Sequence, residues 1–509
     1  MWLDKLLVFV LAVLLVSIGS VEAATLDLIS LTQSGQANNA YFPAVSTDGK
    51  WAAFSSYDPT HITNNSDIYI RNLDTGTLEK VSLASDGGFG NGVSQRPSIS
   101  ADGRFVVFES LASNLVPGDV NGACDVFVRD RLLGTTEIVS LDNDGTQGTE
   151  GSSTAAISAD GRFVVFNTRS NFTGSDATIG FGAFLRDRQA QTTTYISSGI
   201  FPALSGSGRI IVSREGKNLV LRDLQAGVVE IVAQFGAELM NTNPNAYIPA
   251  ISSDGRYVVY EGWSAPGAPL STEVFVYDRL TRSNQQITRA YDGGPLTTAS
   301  SRYGSSLVPR ISADGRFVLF FSSAADLVKG ISGNRLYLHD LANKSTVVVP
   351  INNPWATCLY PLFNLSGDGT VIVFQDTIIN HQPQYATSFF GIFALRSGSA
   401  ISGDNNPVWS VEPVISATPG LLWPPNGKLT DVKLSVAAPG ATQVEIRIVD
   451  EYGTFTQTVH GADATVKLEA SRNGADKDGR TYTITAVATN AVGQTKTATT
   501  TVSVPRDQH

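Results

Sequence analysis

The chain is written in short apolar runs of four or five residues, broken at regular intervals by Ser, Asp, Gly and Pro. Phe105-Val106-Val107-Phe108, Phe163 to Phe166 and Phe317 to Phe320 are such runs, apolar at every position. Runs of that length predict strands buried on both faces, and no segment carries the three-to-four-residue spacing of an amphipathic helix. Each run follows the same turn. Ile99-Ser100-Ala101-Asp102-Gly103-Arg104 leads into the first of them, and the phrase returns at Ile157 and Ile311, with a close variant at Ile251. Val45 to Phe54 and Leu365 to Phe374 are looser copies, and Leu204 to Arg209 carries Ser207 where the others carry Asp. The turn positions are 48, 102, 160, 207, 254, 314 and 368, giving steps of 54, 58, 47, 47, 60 and 54. Steps of that size fit one four-stranded unit each, so the fold class is all-β and the expected architecture is a seven-bladed β-propeller.

Every unit has one grammar. A short first strand, often opened by Pro (Pro43, Pro97, Pro202, Pro249, Pro309), enters the turn, where Asp bonds its own backbone and Gly takes the left-handed conformation. The apolar second strand follows, then a loop of varied length. A third strand ends in Asp, as in Asp125 to Asp130 and Glu273 to Asp278, and a fourth resembles Glu137 to Leu141. The last unit lacks its fourth strand. Leu26 to Leu31 reads like that strand, so the N-terminal segment is expected to complete the last sheet and leave no open edge.

From Pro407 the turn repeat stops, and six or seven short strands follow in about 100 residues, as in a β-sandwich. Asp478 to Ile484 has the look of a tyrosine corner around Tyr482. The expected division is a signal peptide over 1–23, the propeller over 24–400, a linker over 401–412 and the sandwich over 413–509.

The turn repeat, Ser-x-Asp-Gly-Arg followed by apolar residues and a strand ending in aromatic-x-x-Asp, resembles the TolB-like propeller family over about residues 25–396. The tail is similar to bacterial immunoglobulin-like modules. The first resemblance implies a binding platform, in some members joined to a peptidase. TolB's extra N-terminal domain has no counterpart here, and no Gly-x-Ser-x-Gly nucleophile elbow occurs.

Composition narrows the classes. The 36 basic and 46 acidic residues give a net charge of −10 with no basic cluster, which argues against nucleic acid and anionic lipid as partners. Lys5, the apolar run Leu6 to Val16 and the small-residue site Val21-Glu22-Ala23 predict export to the periplasm or beyond, with no stable membrane insertion after cleavage. The two cysteines, Cys124 and Cys358, fall in units that are not neighbours and are expected to remain thiols.

Candidate chemistry divides between two faces. A basic residue after the turn Gly accompanies a polar residue ending the third strand, as in Arg104 with Asp130 and Arg162 with Asp187. In the last unit both change together, to Thr370 and Arg396, so this pair is expected to be a structural bridge. The long, varied loops lie on the opposite face, where function on a scaffold concentrates. Four positions before the turn, the units carry Ala44, Ser98, Ala156, Ala203, Ala250, Arg310 and Asn364, so Arg310 stands out as an anion contact in the central channel. Tyr41, Arg96, Tyr247, Tyr303, Trp355 and Tyr360 complete the ligand-binding set near the channel mouth, with Phe42 and Phe201 beside them. Glu109 and Glu261 close second strands three units apart, too far for a paired-carboxyl site. The five histidines are scattered. Asp119, Asn121 and Asp125 are the candidate ligands of a structural Ca2+, the one cofactor considered, with Asx turns as the alternative. The leading expectation is a secreted non-enzymatic binding or scaffold protein for a protein, peptide or glycan. The alternative is a carbohydrate- or peptide-active lyase or hydrolase at the channel mouth.

Overall fold

The structure is a computed structural model. It describes residues 25–30, 39–57, 66–170, 172, 181–235, 248–263, 272–294, 296, 306–324, 326–329, 331, 334–349, 363–377, 390–396, 413–423, 426–438, 441–471, 479–490 and 495–505. Among them there is no helix. The expected signal peptide and the linker lie outside the described residues.

Seven four-stranded antiparallel sheets follow one another along the chain. The first contains Ala40–Val45, Trp51–Tyr57, Ser66–Asn72 and Leu78–Lys80, hydrogen-bonded in that order, and the next five repeat the pattern. The last contains Phe363–Leu365, Val371–Thr377 and Phe390–Arg396, with Thr25–Leu28 as its outer strand. The register runs antiparallel from Thr25 opposite Arg396 to Leu28 opposite Phe393, as the sequence led us to expect.

Second strands are apolar throughout because both of their faces are covered. Val106, Val107 and Phe108 are completely buried. Val106 and Phe108 pack on Ala53 and Ile70 of the first sheet, whereas Val107 packs on Val164 and Phe166 of the third. One apolar cluster of this kind lies between each pair of consecutive sheets. A further cluster, including Phe54 and Val373, joins the seventh sheet to the first. The packing is therefore cyclic.

The turn that marks each sheet also fastens it to the next. The Ser100 hydroxyl donates to Asp102 Oδ1 (2.8 Å) and accepts the Phe105 N–H (2.9 Å), and the same bonds recur at Ser158, Ser252, Ser312 and Ser366. Backbone bonds then link turn to turn around the axis. Asp48 donates to Ala101, Ala101 to Ala159, Ala159 to Gly206, Gly206 to Ser253, Ser253 to Ala313, Asp314 to Gly367 and Gly367 to Thr47, all within 2.9–3.2 Å. The chain of bonds returns to its start. Gly161 shows why the turn needs glycine: its φ is +75°, and a Cβ there would lie 2.1 Å from Phe105 of the preceding sheet.

The arginine–aspartate bridges are present. Arg104 Nε and Nη2 grip Asp130 at 3.0 and 2.7 Å, and Arg162–Asp187, Arg209–Asp223, Arg256–Asp278 and Arg316–Asp340 are equivalent. The hydrogen bonds from these arginines hold the carboxyls of Asp130, Asp187, Asp223 and Asp278 below the usual range. In the first sheet Asn72 instead accepts the Asp74 and Thr75 N–H groups (both 2.9 Å). In the last, Arg396 reaches Asp27 of the N-terminal strand (2.9 Å) and the Leu73 carbonyl (2.7 Å), so the exception has its own use in closing the ring.

The tail forms two sheets. Val414–Thr418, Leu429–Ala437 and Asp463–Glu469 make one, and Thr456–His460, Ala441–Asp450, Arg480–Asn490 and Thr495–Val504 make the other. Alternate residues such as Val432, Leu434, Ile446, Ile448 and Ile484 fill the space between them. Fully buried Tyr482 donates its hydroxyl to the Glu469 carbonyl (2.9 Å), the bond expected of a tyrosine corner.

Candidate functional site

The first strands converge on the axis, and they are bent there. Pairing with the second strand slips between Tyr41 and Ala44, Gln95 and Ser98, Ser153 and Ala156, Ile200 and Ala203, and Leu307 and Arg310. At each slip one non-glycine residue takes φ between 53° and 55°: Phe42, Arg96, Thr154, Phe201 and Val308. Such a bulge re-aims side chains and costs on the order of 1 kcal/mol or more per residue in backbone strain.

At Thr154, Phe201 and Val308 the strained N–H is met by a side chain from the preceding sheet. Glu109 Oε1 accepts from Thr154 N (2.6 Å), Asn167 Oδ1 from Phe201 N (3.1 Å) and Glu261 Oε1 from Val308 N (2.5 Å). Glu109 and Glu261 are two carboxyls near the ends of second strands. In the fold each ties its sheet to the next. Their sequence signal was visible only as a column of second-strand ends that hold Glu, Asn and Glu at 109, 167 and 261.

The first strands of all seven sheets enclose a cavity of about 350 Å3 on the axis, with Phe42, Arg96, Thr154, Phe201, Arg310 and Asn364 in its wall. Glu109 also reaches it. Burial pushes the Glu109 carboxyl above the usual range, against the opposing pull of Arg96 and the Thr154 N–H. Arg96 Nη1 lies 3.3 Å from Glu109 Oε2, and its guanidinium sits 5.6 Å from the centre of the Phe42 ring. Arg310 faces channel space, yet protein atoms crowd it, and this desolvation pushes its guanidinium down to about 10 although the charge of Glu261 acts the other way. Among the described residues its one hydrogen bond is a long one, Nη1 to the Pro309 carbonyl at 3.4 Å.

The structure thus brings Arg310, Arg96, Phe42 and Phe201 together in one cavity wall. Tyr41 is placed elsewhere. Strand alternation and the bulge send it toward Tyr57 and Phe390, with ring centres 6.2 and 6.0 Å away. Tyr247, Tyr303, Trp355 and Tyr360 lie outside the described residues, as does Cys358.

The Asp119–Asn121–Asp125 loop is closed by amide donors. Gln147 Nε2 donates to Asp119 and Asp125 (both 2.8 Å), Asn121 Nδ2 donates to Asp125 (2.8 Å), and Ser140 donates to the other Asp125 oxygen (2.6 Å). Asp125 is also one of a set, because Asp67 accepts from Ser82 and Glu273 from Thr288 in the same way. Among the described residues no group of three His, Cys, Asp or Glu is gathered as metal ligands. Cys124 is a half-buried free thiol, pushed up to about 12 by burial and by the charges of Glu109 and Asp125.

No family model matches the chain, and no curated protein does. Solved structures do. The β-propeller domain of the Trilobed protease from Pyrococcus furiosus is 14% identical, with 70% of this chain and 95% of that one covered and a TM-score of 0.43. TolB from Agrobacterium tumefaciens is 16% identical, covering 65% and 89%, with a TM-score of 0.32. An acylaminoacyl peptidase from Pyrococcus horikoshii is 14% identical, covering 78% of this chain and 58% of the peptidase, with a TM-score of 0.43. At these identities and scores the likeness assigns no activity. One expectation is corrected all the same. The reading of the chain as non-enzymatic does not stand, because structures similar to it include that peptidase, a dipeptidyl peptidase 4 and a xyloglucanase. An architecture shared with enzymes gives no ground for excluding turnover.

Proposed function

We propose that this chain is an exported seven-bladed β-propeller of the TolB-like kind, followed by an immunoglobulin-like spacer module, and that it receives a protein, peptide or glycan partner in the axial channel at the end away from the turn ring. The observation that carries this reading is the axial cavity enclosed by all seven first strands, with Phe42, Arg96, Thr154 and Phe201 of the bulges in its wall. The turn face carries a shallow hollow of about 400 Å3 beside Arg162 and Arg188, but both arginines are occupied in bridging to Asp187 and Glu137. Export rests on the charged and apolar segments at Lys5 and Leu6 to Val16.

A second reading, turnover at the same mouth, draws on Glu109, a carboxyl in the cavity wall that burial holds above its usual range. Peptide and glycan arrays probed with the full mature chain, followed by hydrolase and lyase assays on whatever binds, separate the two. Phe201→Ala in the channel is expected to weaken binding, and Arg104→Lys on the turn face to leave it unchanged. The reverse pattern overturns the placement of the site.

A further inference from the structure

The arginines on the turn face grip carboxylates, and so does Arg96 within the channel. Arg310 is the contrast. It stands where five other sheets place Ala or Ser and the seventh places Asn364, so its neighbours around the axis leave room for a long side chain. Glu261, the carboxylate whose charge it feels, is committed to the Val308 N–H. Among the described residues no carboxylate lies within ion-pair distance of Arg310. The fold gains from a guanidinium there only the attraction of Glu261 beyond ion-pair distance, which is smaller than the cost of desolvating it.

From the arrangement of this channel we infer that Arg310 receives the terminal carboxylate of a short apolar chain entering from the mouth. This deepens the channel reading above and rests on it. The forked guanidinium matches a planar carboxylate through two parallel bonds. One guanidinium balances one negative charge, whereas a phosphate dianion would bring a second into a channel that already holds Glu109. The remaining wall is mixed: Pro43, Pro97, Pro202, Phe42 and Phe201 stand around the axis among the polar Arg96, Ser98 and Asn364. An alkyl or apolar peptide end has those prolines and rings to pack against once its carboxylate is held. A volume of about 350 Å3 lies at the low end for ligand pockets, suited to a chain end and too small for a folded surface.

The test uses the full mature chain and short apolar peptides, each as free acid and as C-terminal amide, with octanoate against octanamide as a second arm. Free acids are expected to bind about 10- to 100-fold more tightly than amides. Arg310→Gln should erase that gap, and Arg310→Lys should restore part of it. Which arm binds tells a peptide end from a free alkyl acid. Arg310→Gln should melt within a degree or two of the parent, because the desolvation it relieves offsets the lost attraction of Glu261, which lies beyond ion-pair distance. Melting several degrees lower would make Arg310 a structural residue and overturn the inference. Equal binding of acid and amide also overturns it, as does binding confined to uronate glycans or binding by neither arm. The channel reading fails separately, if acids bind but Phe42→Ala and Phe201→Ala leave their affinity unchanged.

Discussion

Replacing Glu109 tests the inter-sheet clamp, because the chain already contains a neutral version of it. Glu109 Oε1 holds the N–H of Thr154, a residue at φ 53°, and Oε2 faces Arg96 at 3.3 Å. In the next sheet Asn167 does the same work without a charge. Its oxygen accepts from Phe201 N and from the Thr154 hydroxyl, and its amide donates to Gly182 and Gly199. Glu109→Ala leaves the Thr154 N–H unsatisfied beneath the channel wall, a loss of about 1–3 kcal/mol, and leaves Arg96 without its carboxylate. Removing a carboxyl that burial already disfavours returns part of this, so the net cost is expected near 2 kcal/mol. Glu109→Gln keeps an acceptor of the same reach and loses only the ion pair, whose arginine is partly solvated, so it should cost about 1 kcal/mol or less.

Calorimetric or urea unfolding of both variants measures the difference, and amide exchange at Thr154 locates it. Protection at that N–H should fall in Glu109→Ala and persist in Glu109→Gln. Equal destabilisation by the two variants would mean that the pairing with Arg96, not the clamp on the bulge, is what Glu109 contributes. An Ala variant as stable as the parent would refute the clamp outright.

Three other outcomes follow from the same geometry. Gly161→Ala combines a φ of +75° with a Cβ 2.1 Å from Phe105, so a loss of about 3 kcal/mol is expected in unfolding experiments. Deleting residues 25–30 exposes the edge of Phe390–Arg396 and removes the Asp27 partner of Arg396; deuterium uptake should rise there while Asp125–Asp130 stays protected. Acid acts in two directions. Asp130, Asp187, Asp223 and Asp278 have lowered pKa values, so their contribution is complete above about pH 4 and fades as pH falls through their folded-state values. Glu109 and Asp125 are raised by burial, and protonating them favours the fold as pH approaches 4 from above. Melting temperature should therefore hold down to about pH 4 and drop steeply below it; a flat profile from pH 5 to pH 2 would count against the bridges.

What could be read in the sequence was chemistry that completes itself within a few residues, or that varies in step. Ser100, Asp102 and Gly103 satisfy one another locally, so their recurrence located every turn. The arginine bridges were legible because the last unit alters both partners at once, and Leu26 to Leu31 because one fourth strand was missing. The bulges left no such trace. They are backbone conformations, adopted alike by Phe42, Arg96, Thr154, Phe201 and Val308, which share no side-chain chemistry. The clamps that answer them join residues 45, 34 and 47 positions apart through Glu, Asn and Glu, so no repeated letter marks them. The Asp119–Asp125 loop leaves its partners equally unmarked. Its oxygens cluster as a cation site would, but the donors that occupy them come from Gln147 and Ser140, well downstream.

The two ends of the channel differ in what the fold requires of them. At the turn end each sheet must supply a small residue for the backbone ring, and Thr47, Ala101, Ala159, Gly206, Ser253, Ala313 and Gly367 do so. Close packing enforces this, since a Cβ on Gly206 would lie 1.9 Å from Ser253 Oγ. A few residues earlier along the same strands the requirement ends, because a small side chain lines the cavity without bonding its neighbours. A large, charged residue there is tolerated by the fold but not demanded by it. Arg310 makes one long hydrogen bond, to a carbonyl, and loses hydration for it. Side chains that break a local rule without a compensating contact inside the protein mark the places where compensation comes from outside. In this chain that argument singles out the channel wall at Arg310 and leaves the Ser-x-Asp-Gly face as the frame that holds it.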